Sequence, residues 1–414
     1  MPEHIPIMIG DDMIEKFIEY CQKNEYEKFL IVADENTARV LGDDVHQAVQ
    51  IQGWDAIYYV LDPDGLHSDD VTLTRVLNAY DAVPRLFVAV GSGTITDTAR
   101  FTSHRSQNKF VSFPTAASVD AYTSKNAPIT IGGLKGSVYC HAPTAIFTDL
   151  PTICAAPKFL TASGFGDLIS KLTSSSDWKI THLVWGSDFN EAIYKSVLQA
   201  AQKAADVVDG IRASDPESMA VMMEGQFASG FCMADFGNSA PASGAEHHIA
   251  HIWEMMFHWE KKEGLFHGNA VGVAAIQCAE WYQHLRALSR EDAQALLDHA
   301  VIPPRDQQIK ALKEHLPIIA DELIESDPIY LQLSDPKLFT RIRERMLDQW
   351  DEIQAVAAYV LPPDVICGWI KSLGGPVTTQ ELELTQEQAE TALEYGHYLR
   401  ERFSINIIRV LFGW

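Results

Sequence analysis

Five short apolar runs mark the first third of the chain: KFLIVAD (28–34), AIYYVL (56–61), RLFVAV (85–90), KFVSFP (109–114) and TAIFTDL (144–150). Each is bounded by Asp, Gly or Pro, and each is nearly continuous rather than alternating, the pattern of strands buried on both faces of a parallel sheet. Helical segments such as 69–82 lie between them, and strands alternating with helices predict an α/β layer architecture. Beyond about residue 155 the rhythm changes. In 187–211, Ile193, Val197, Ala201, Ala204 and Val208 recur at helical spacing, with Asp188 placed as an N-cap and Gly210 near the stop. Similar patterns occupy 216–235, 269–287, 290–300, 335–359 and 385–403, and no comparable strand run recurs until the very end. The sequence therefore predicts an α/β domain over 1–155 and an all-helical domain over 156–414.

Composition narrows the classes of function. A content of 47% hydrophobic and 21% charged residues suits a globular protein with a substantial core. The 32 Lys+Arg against 56 Asp+Glu give a net charge of −24, a surface that repels nucleic acid and anionic membranes. Six scattered cysteines without a C-x-x-C pair form neither a disulfide framework nor a thiolate zinc site, which points to a reducing compartment. The first residues lack the basic and apolar regions of a signal peptide, and no apolar run approaches the roughly 20 residues that span a bilayer. A cytoplasmic location is expected.

The run FVAVGSGTITDTARF (87–101) reads as strand, glycine turn and helix. Gly91 and Gly93 allow close backbone approach, and the helix start offers free N–H groups and a positive dipole end to a pyrophosphate. The third glycine of the dinucleotide fingerprint is absent, Thr96 and Asp97 standing in that region. Asp34 ends the strand KFLIVAD, where a carboxylate accepts ribose hydroxyls and repels a 2′-phosphate, favouring NAD over NADP; a plain helix cap is the alternative. SFPTAASVDAYTS (112–124) follows another strand with a dense set of hydroxyls at Thr115, Ser118, Thr123 and Ser124 and a lone acid at Asp120.

Histidines carry the second constellation. His247 and His251 are four residues apart and share a helix face, so either both ligate one metal or one ligates while the other reaches substrate. His267 opens the next helical pattern after the turn EKKEGLF, and an antiparallel pair of helices brings it to His247. Asp167, in SGFGDLISK, is the best carboxylate to complete a three-ligand site with an open position. Any one of these histidines is more often a surface or core residue, and His248, His258, His182 and His284 are read that way; the joint pattern carries the metal reading.

Together GSGTITD, SFPTAASVDAYTS, GFGDLISK, SGAEHHIAH and FHGNAVGV, in this order over 91–274, resemble the sn-glycerol-1-phosphate dehydrogenase family, closest to its bacterial branch. That family lies in the superfamily of glycerol dehydrogenases, iron-type alcohol dehydrogenases and 3-dehydroquinate synthases. The resemblance implies a Rossmann-like α/β dinucleotide-binding domain and a C-terminal all-helical metal-binding domain of the dehydroquinate synthase type, with the site in the cleft between them. It implies Asp34 at the adenosine ribose, and Gly91, Ser92, Gly93, Thr94 and Ile95 around the pyrophosphate of NAD or NADP. Thr115, Ala116, Ala117, Ser118 and Ser124 line the nicotinamide end. Asp167, His247 and His267 hold a divalent ion, zinc or nickel, while Asp120 and His251 face the substrate together with Asp167. A homodimer is expected on the same ground.

Two departures set the chain within that superfamily. Iron-type alcohol dehydrogenases place a histidine ligand four residues after the aspartate, and Lys171 stands there. Dehydroquinate synthases carry glutamate where Asp167 stands. The expected reaction is reduction of dihydroxyacetone phosphate to sn-glycerol 1-phosphate, with His251 or a metal-bound water relaying the proton. A glycerol or other polyol dehydrogenase on the same scaffold is the alternative, and a non-catalytic nucleotide- and metal-binding protein is the rival from another class. Lys125, Lys135 and Lys171 are the guesses for a phosphate contact.

Overall fold

The structure, a computed structural model, describes residues 5–132, 134–262 and 264–414, with the side chains of residues 134 and 135 outside that description. The chain forms two compact units, Met1–Phe165 with Lys203–Asp235, and Gly166–Gln202 with Phe236–Trp414. The chain thus passes between the units more than once, where the sequence suggested one boundary near 155.

The first unit is built on a six-stranded sheet whose ladders are all parallel, in the order Ile7–Gly10, Ile146–Asp149, Phe110–Pro114, Leu86–Gly91, Lys28–Asp34, Asp55–Leu61. Its strands are β1 (Ile7–Gly10), β2 (Lys28–Asp34), β3 (Asp55–Leu61), β4 (Leu86–Gly91), β5 (Phe110–Pro114) and β8 (Ile146–Asp149). All five predicted runs are strands. In β2, Phe29, Ile31 and Ala33 join one buried apolar cluster while Leu30 and Val32 join another, so both faces of the sheet are covered. β1 escaped prediction because it is only four half-buried residues. A hairpin of β6 (Asn126–Ile131) and β7 (Leu134–Tyr139) also escaped, since Pro128 and Gly136 interrupt its strand pattern. Helix α1 (Gly93–Arg105) follows β4.

Further helices are α2 (Lys158–Ile169), α3 (Lys171–Trp185), α4 (Pro216–Phe236), α5 (Ala245–Trp259), α6 (His267–Ala287) and α7 (Ile405–Phe412). Several boundaries differ from expectation. The 187–211 pattern starts at Glu191, because Asn190 Oδ1 rather than Asp188 accepts the amides of Ala192 (3.0 Å) and Ile193 (3.2 Å). It breaks after Asp206, and Gly210 lies inside a separate short helix, Val208–Arg212. The 335–359 pattern is two helices, Pro336–Asp348 and Trp350–Ala357. The terminal strand-like run is α7, whose Ile405, Ile408, Leu411 and Phe412 are all buried. Among the described residues, no helix is long and apolar enough to cross a membrane.

Candidate functional site

In the second unit, α5 presents His247, His251 and Glu254 at positions i, i+4 and i+7, one face of a helix. α6 begins at His267 itself. α2 delivers Asp167, and a glycine makes that possible: a Cβ on Gly166 would lie 2.5 Å from the Gly268 carbonyl oxygen. Only the missing side chain lets these two backbones meet, placing Asp167 beside His267. One ligand atom each from Asp167, His247 and His267 then lies within 4.8 Å of the others. The His247 and His267 ring centroids are 5.3 Å apart, and His247 Nε2 is 3.5 Å from Asp167 Oδ1.

Carboxylates orient both imidazoles. His247 Nδ1 meets Glu246 Oε1 at 2.8 Å, and His267 Nδ1 meets Glu254 Oε1 at 2.6 Å. Glu246 is itself fixed, accepting the Thr173 hydroxyl at 2.8 Å and the Gly244 amide at 2.8 Å. An Nδ1–H engaged by a carboxylate fixes the tautomer in which Nε2 carries the lone pair, the arrangement of metal-ligating histidines. One carboxylate and two such imidazoles fit a divalent transition ion. His251, Glu254 and His267 form a second close group, but Glu254 there serves as the partner of His267 Nδ1. The His251 ring is stacked 5.4 Å from His267 and is partly exposed.

Electrostatics in this cluster are those of buried charge. Burial would raise the Asp167 carboxyl, yet the Lys171 ammonium and the two imidazoles hold it well below the usual carboxylate range. Lys171 is wholly enclosed and donates from Nζ to Asp167 Oδ1 at 2.7 Å. That pairing, one turn along the helical register, takes its ammonium out of consideration as an exposed phosphate contact. Lys125 is exposed, and the Lys135 side chain lies outside the described residues. Asp177, one face further along α3, accepts the Ala245 amide (2.8 Å), the Tyr282 hydroxyl (2.7 Å) and the Ile405 amide (2.7 Å). It thereby ties the start of α5 to α6 and α7; burial and the nearby Glu246 raise its carboxyl.

In the first unit, β2, β4 and β5 are neighbours and end at Asp34, Gly91 and Pro114, with Gly91 level with Pro114. The connections leave β2 and β4 in opposite directions along the sheet, so the carboxyl ends of these strands are a topological switch point, where open α/β sheets bind ligands. Gly91 is required: a Cβ there would fall 2.5 Å from Ile95 Cβ. The amides of Gly93, Thr94 and Ile95 have no intrahelical acceptor, and Ser92 makes no side-chain cap. Ile95 itself is buried, so its side chain belongs to the core and only its backbone can meet a ligand.

Asp34 does cap a helix. Its Oδ1 accepts the amides of Asn36 (2.8 Å) and Thr37 (3.0 Å). The 115–124 turn is held from beneath. Gln226 Nε2 donates to the Ala117 carbonyl (3.1 Å), Tyr122 OH donates to the Ala116 carbonyl (2.7 Å), and Ser229 Oγ donates to Asp120 Oδ2 (2.7 Å). The fully buried Arg100 pairs with Asp97 and donates to the carbonyls of Ala121 (2.8 Å), Tyr122 (3.0 Å) and Asn126 (3.1 Å). Thr115 and Ser118 are nearly buried, while the Ser124 hydroxyl is engaged locally with Asn126.

Comparison with known proteins gives the family and the fold. Residues 8–157 match the family model described as iron-containing alcohol dehydrogenase. The glycerol-1-phosphate dehydrogenase [NAD(P)+] of Geobacillus stearothermophilus is 33% identical over 287 residues, 68% of this chain and 71% of the relative. That of Bacillus velezensis is 30% identical over 402 residues, 96% of this chain and 89% of the relative. The chain belongs to the glycerol-1-phosphate dehydrogenase family. Its fold is shared with a probable glycerol dehydrogenase from Sinorhizobium meliloti 1021, at a TM-score of 0.61 and 16% identity over 99% of this chain and 95% of that one.

Within this glycerol-1-phosphate dehydrogenase family member, sequence reasoning missed the supporting residues. Glu246 adjoins a proposed ligand and Glu254 shares its helix face, so both carried a readable signal. Thr173, Asp177, Arg100, Gln226 and Ser229 are separated in sequence from what they hold and carried none.

Proposed function

We propose that the protein is a metal-dependent NAD(P)H oxidoreductase that reduces dihydroxyacetone phosphate to sn-glycerol 1-phosphate. The observation that carries this reading is the convergence of Asp167, His247 and His267, each imidazole already oriented by its own carboxylate, in a chain of this family. Zinc or nickel suits the donor set. When bound, the ion supplies Lewis acidity at the substrate carbonyl and the nicotinamide supplies the hydride. Asp167, His247 and His267 hold the ion, with Glu246 and Glu254 keeping both ring nitrogens aimed. His251, partly exposed beside His267, donates the proton that the product hydroxyl requires. Asp120, steadied by Ser229, accepts a substrate hydroxyl and orients it. The amides at 93–95 take the pyrophosphate, the residues 115–118 line the nicotinamide end with Ser124 at their flank, and Asp34 takes the adenosine ribose. A cytoplasmic homodimer belongs to the same proposal.

The test is oxidation of NADH and NADPH by dihydroxyacetone phosphate against unphosphorylated dihydroxyacetone, after metal reconstitution. Turnover that needs both the phosphate and the metal is expected. Equal turnover with the free ketone would move the assignment to a polyol dehydrogenase, and no turnover with either would leave a binding protein.

A further inference from the structure

The first two turns of α3 are buried along their whole circumference although they read KLTSSSD: Lys171, Thr173, Ser174, Ser175, Ser176 and Asp177 are all without exposure. Thr173 holds Glu246, Asp177 holds the start of α5, and Lys171 holds Asp167. A fully buried ammonium needs a reason, because desolvating it is costly unless it is paired. Its pair is a residue of the metal-ligand set, at 2.7 Å. In the metal-free protein Asp167 is a buried carboxylate that this ammonium answers directly, whereas the neighbouring imidazoles are neutral unless protonated.

We propose that Lys171 is a resident counter-cation: it neutralises Asp167 when no ion is bound, keeping the empty site folded, and it weakens the hold on a divalent ion once one arrives. This rests on the metal site proposed above. Two effects oppose each other when a divalent ion shares Asp167 with Lys171. The ammonium keeps the carboxylate oriented, which favours binding. It also places a positive charge within a few ångströms of the ion, with both the ammonium and the carboxylate wholly buried, which disfavours it. The orienting effect is worth little, because packing already encloses Asp167, including the Gly166–Gly268 approach beside it. Repulsion between charges at such range in a poorly screening interior exceeds a factor of ten in affinity. Repulsion therefore decides the sign.

The experiment compares wild type with Lys171→Met and Lys171→Gln, the second retaining a donor for Asp167 without the charge. Each is stripped with a chelator, then melted with and without Zn2+, and its Zn2+ affinity is measured by competition with a fluorescent chelator. Both variants are expected to melt below wild type when stripped, to recover when Zn2+ is added, and to bind Zn2+ at least tenfold more tightly. A variant that folds only with Zn2+ supports the same conclusion. Unchanged or weaker Zn2+ affinity in both variants overturns it, as does failure to fold with Zn2+ present. A wild type that takes up neither Zn2+ nor Ni2+ instead removes the metal-site reading itself, which separates the two failures.

Discussion

Glu254 grips His267 across a turn of chain, its Oε1 lying 2.6 Å from the imidazole Nδ1 while Glu254 itself is nearly sealed from solvent. The glutamate sits on α5 and the histidine opens α6, so this bond also fixes where the second helix begins relative to the first. Orienting carboxylates of this kind are worth roughly 10- to 100-fold in metal affinity or activity. Glu254→Ala should weaken metal retention by that factor and lower kcat, whereas Glu254→Gln, which keeps an acceptor, should lose less. Equilibrium dialysis against a chelator measures both. Equal affinity in wild type and Glu254→Ala would show that His267 needs no such partner.

Gly166→Ala sets two known effects against each other. Alanine gains about 1 kcal/mol of helix propensity over glycine. Its Cβ, however, would sit 2.5 Å from the Gly268 carbonyl oxygen, a backbone atom that cannot swing aside. The steric effect wins, and α2 and α6 must separate. The variant should be less stable by roughly 1–3 kcal/mol, in the range of overpacked cores. It should also lose metal more than tenfold faster, because Asp167 retreats from His267. Chemical denaturation and metal-release kinetics report the two consequences separately.

Asp34 offers a cleaner test than removal of its side chain would. Its Oδ1 caps the turn at Asn36 and Thr37, so Asp34→Ala would forfeit about 1 kcal/mol of capping along with the charge. Asp34→Asn keeps an acceptor for those amides and removes only the negative charge that opposes a 2′-phosphate. The ratio of kcat/KM for NADPH to that for NADH should rise several-fold with stability nearly unchanged. An unaltered ratio would mean that Asp34 is a cap and nothing more.

His397 contributes to the acid limb of stability in the second unit. It is packed against Tyr330 and Tyr398, with ring centroids 4.3 and 4.2 Å away, and burial together with Arg409 pushes it down to about 3. The ordinary value near 6.5 applies in the unfolded chain. A folded-state value below the unfolded one means that stability is fully present above pH 6.5 and is lost as pH falls toward 3. Between pH 6 and 4, wild type should lose roughly 1.4 kcal/mol per pH unit relative to His397→Gln. Denaturant midpoints measured across that interval would give parallel lines if His397 were not the titrating group.

Four of the five apolar strand runs were legible because they are buried on both faces, and burial leaves a continuous hydrophobic signature; the edge strand at 56–61 is only half-buried and was legible through its Ile, Tyr and Val residues. Asp167, His247 and His267 were legible for another reason: a helical i, i+4 pair and a histidine at a helix start restrict where the rings can point. What supports them was not. Asp177 binds amides 68 and 228 residues away, and no local pattern announces such a bond. Arg100 carries no signal in the sequence, yet it is a buried hub for the 121–126 backbone. Ile405–Phe412 looked like a strand because Ile and Val dominate it; its tertiary setting, with Ile405 N–H on Asp177, overrides that propensity.

The bond from the Ile405 amide to Asp177 has a consequence for how the protein matures. Asp177 also anchors the amide of Ala245, two residues ahead of His247, so a ribosome must deliver the chain past position 405 before that carboxylate has its full complement of donors. Fragments ending earlier, whether from nonsense mutation or proteolysis, would contain every proposed ligand yet lack the latch that sets the ligand helix. Metal loading at the proposed ligands is therefore expected to follow synthesis of α7 rather than of the histidines.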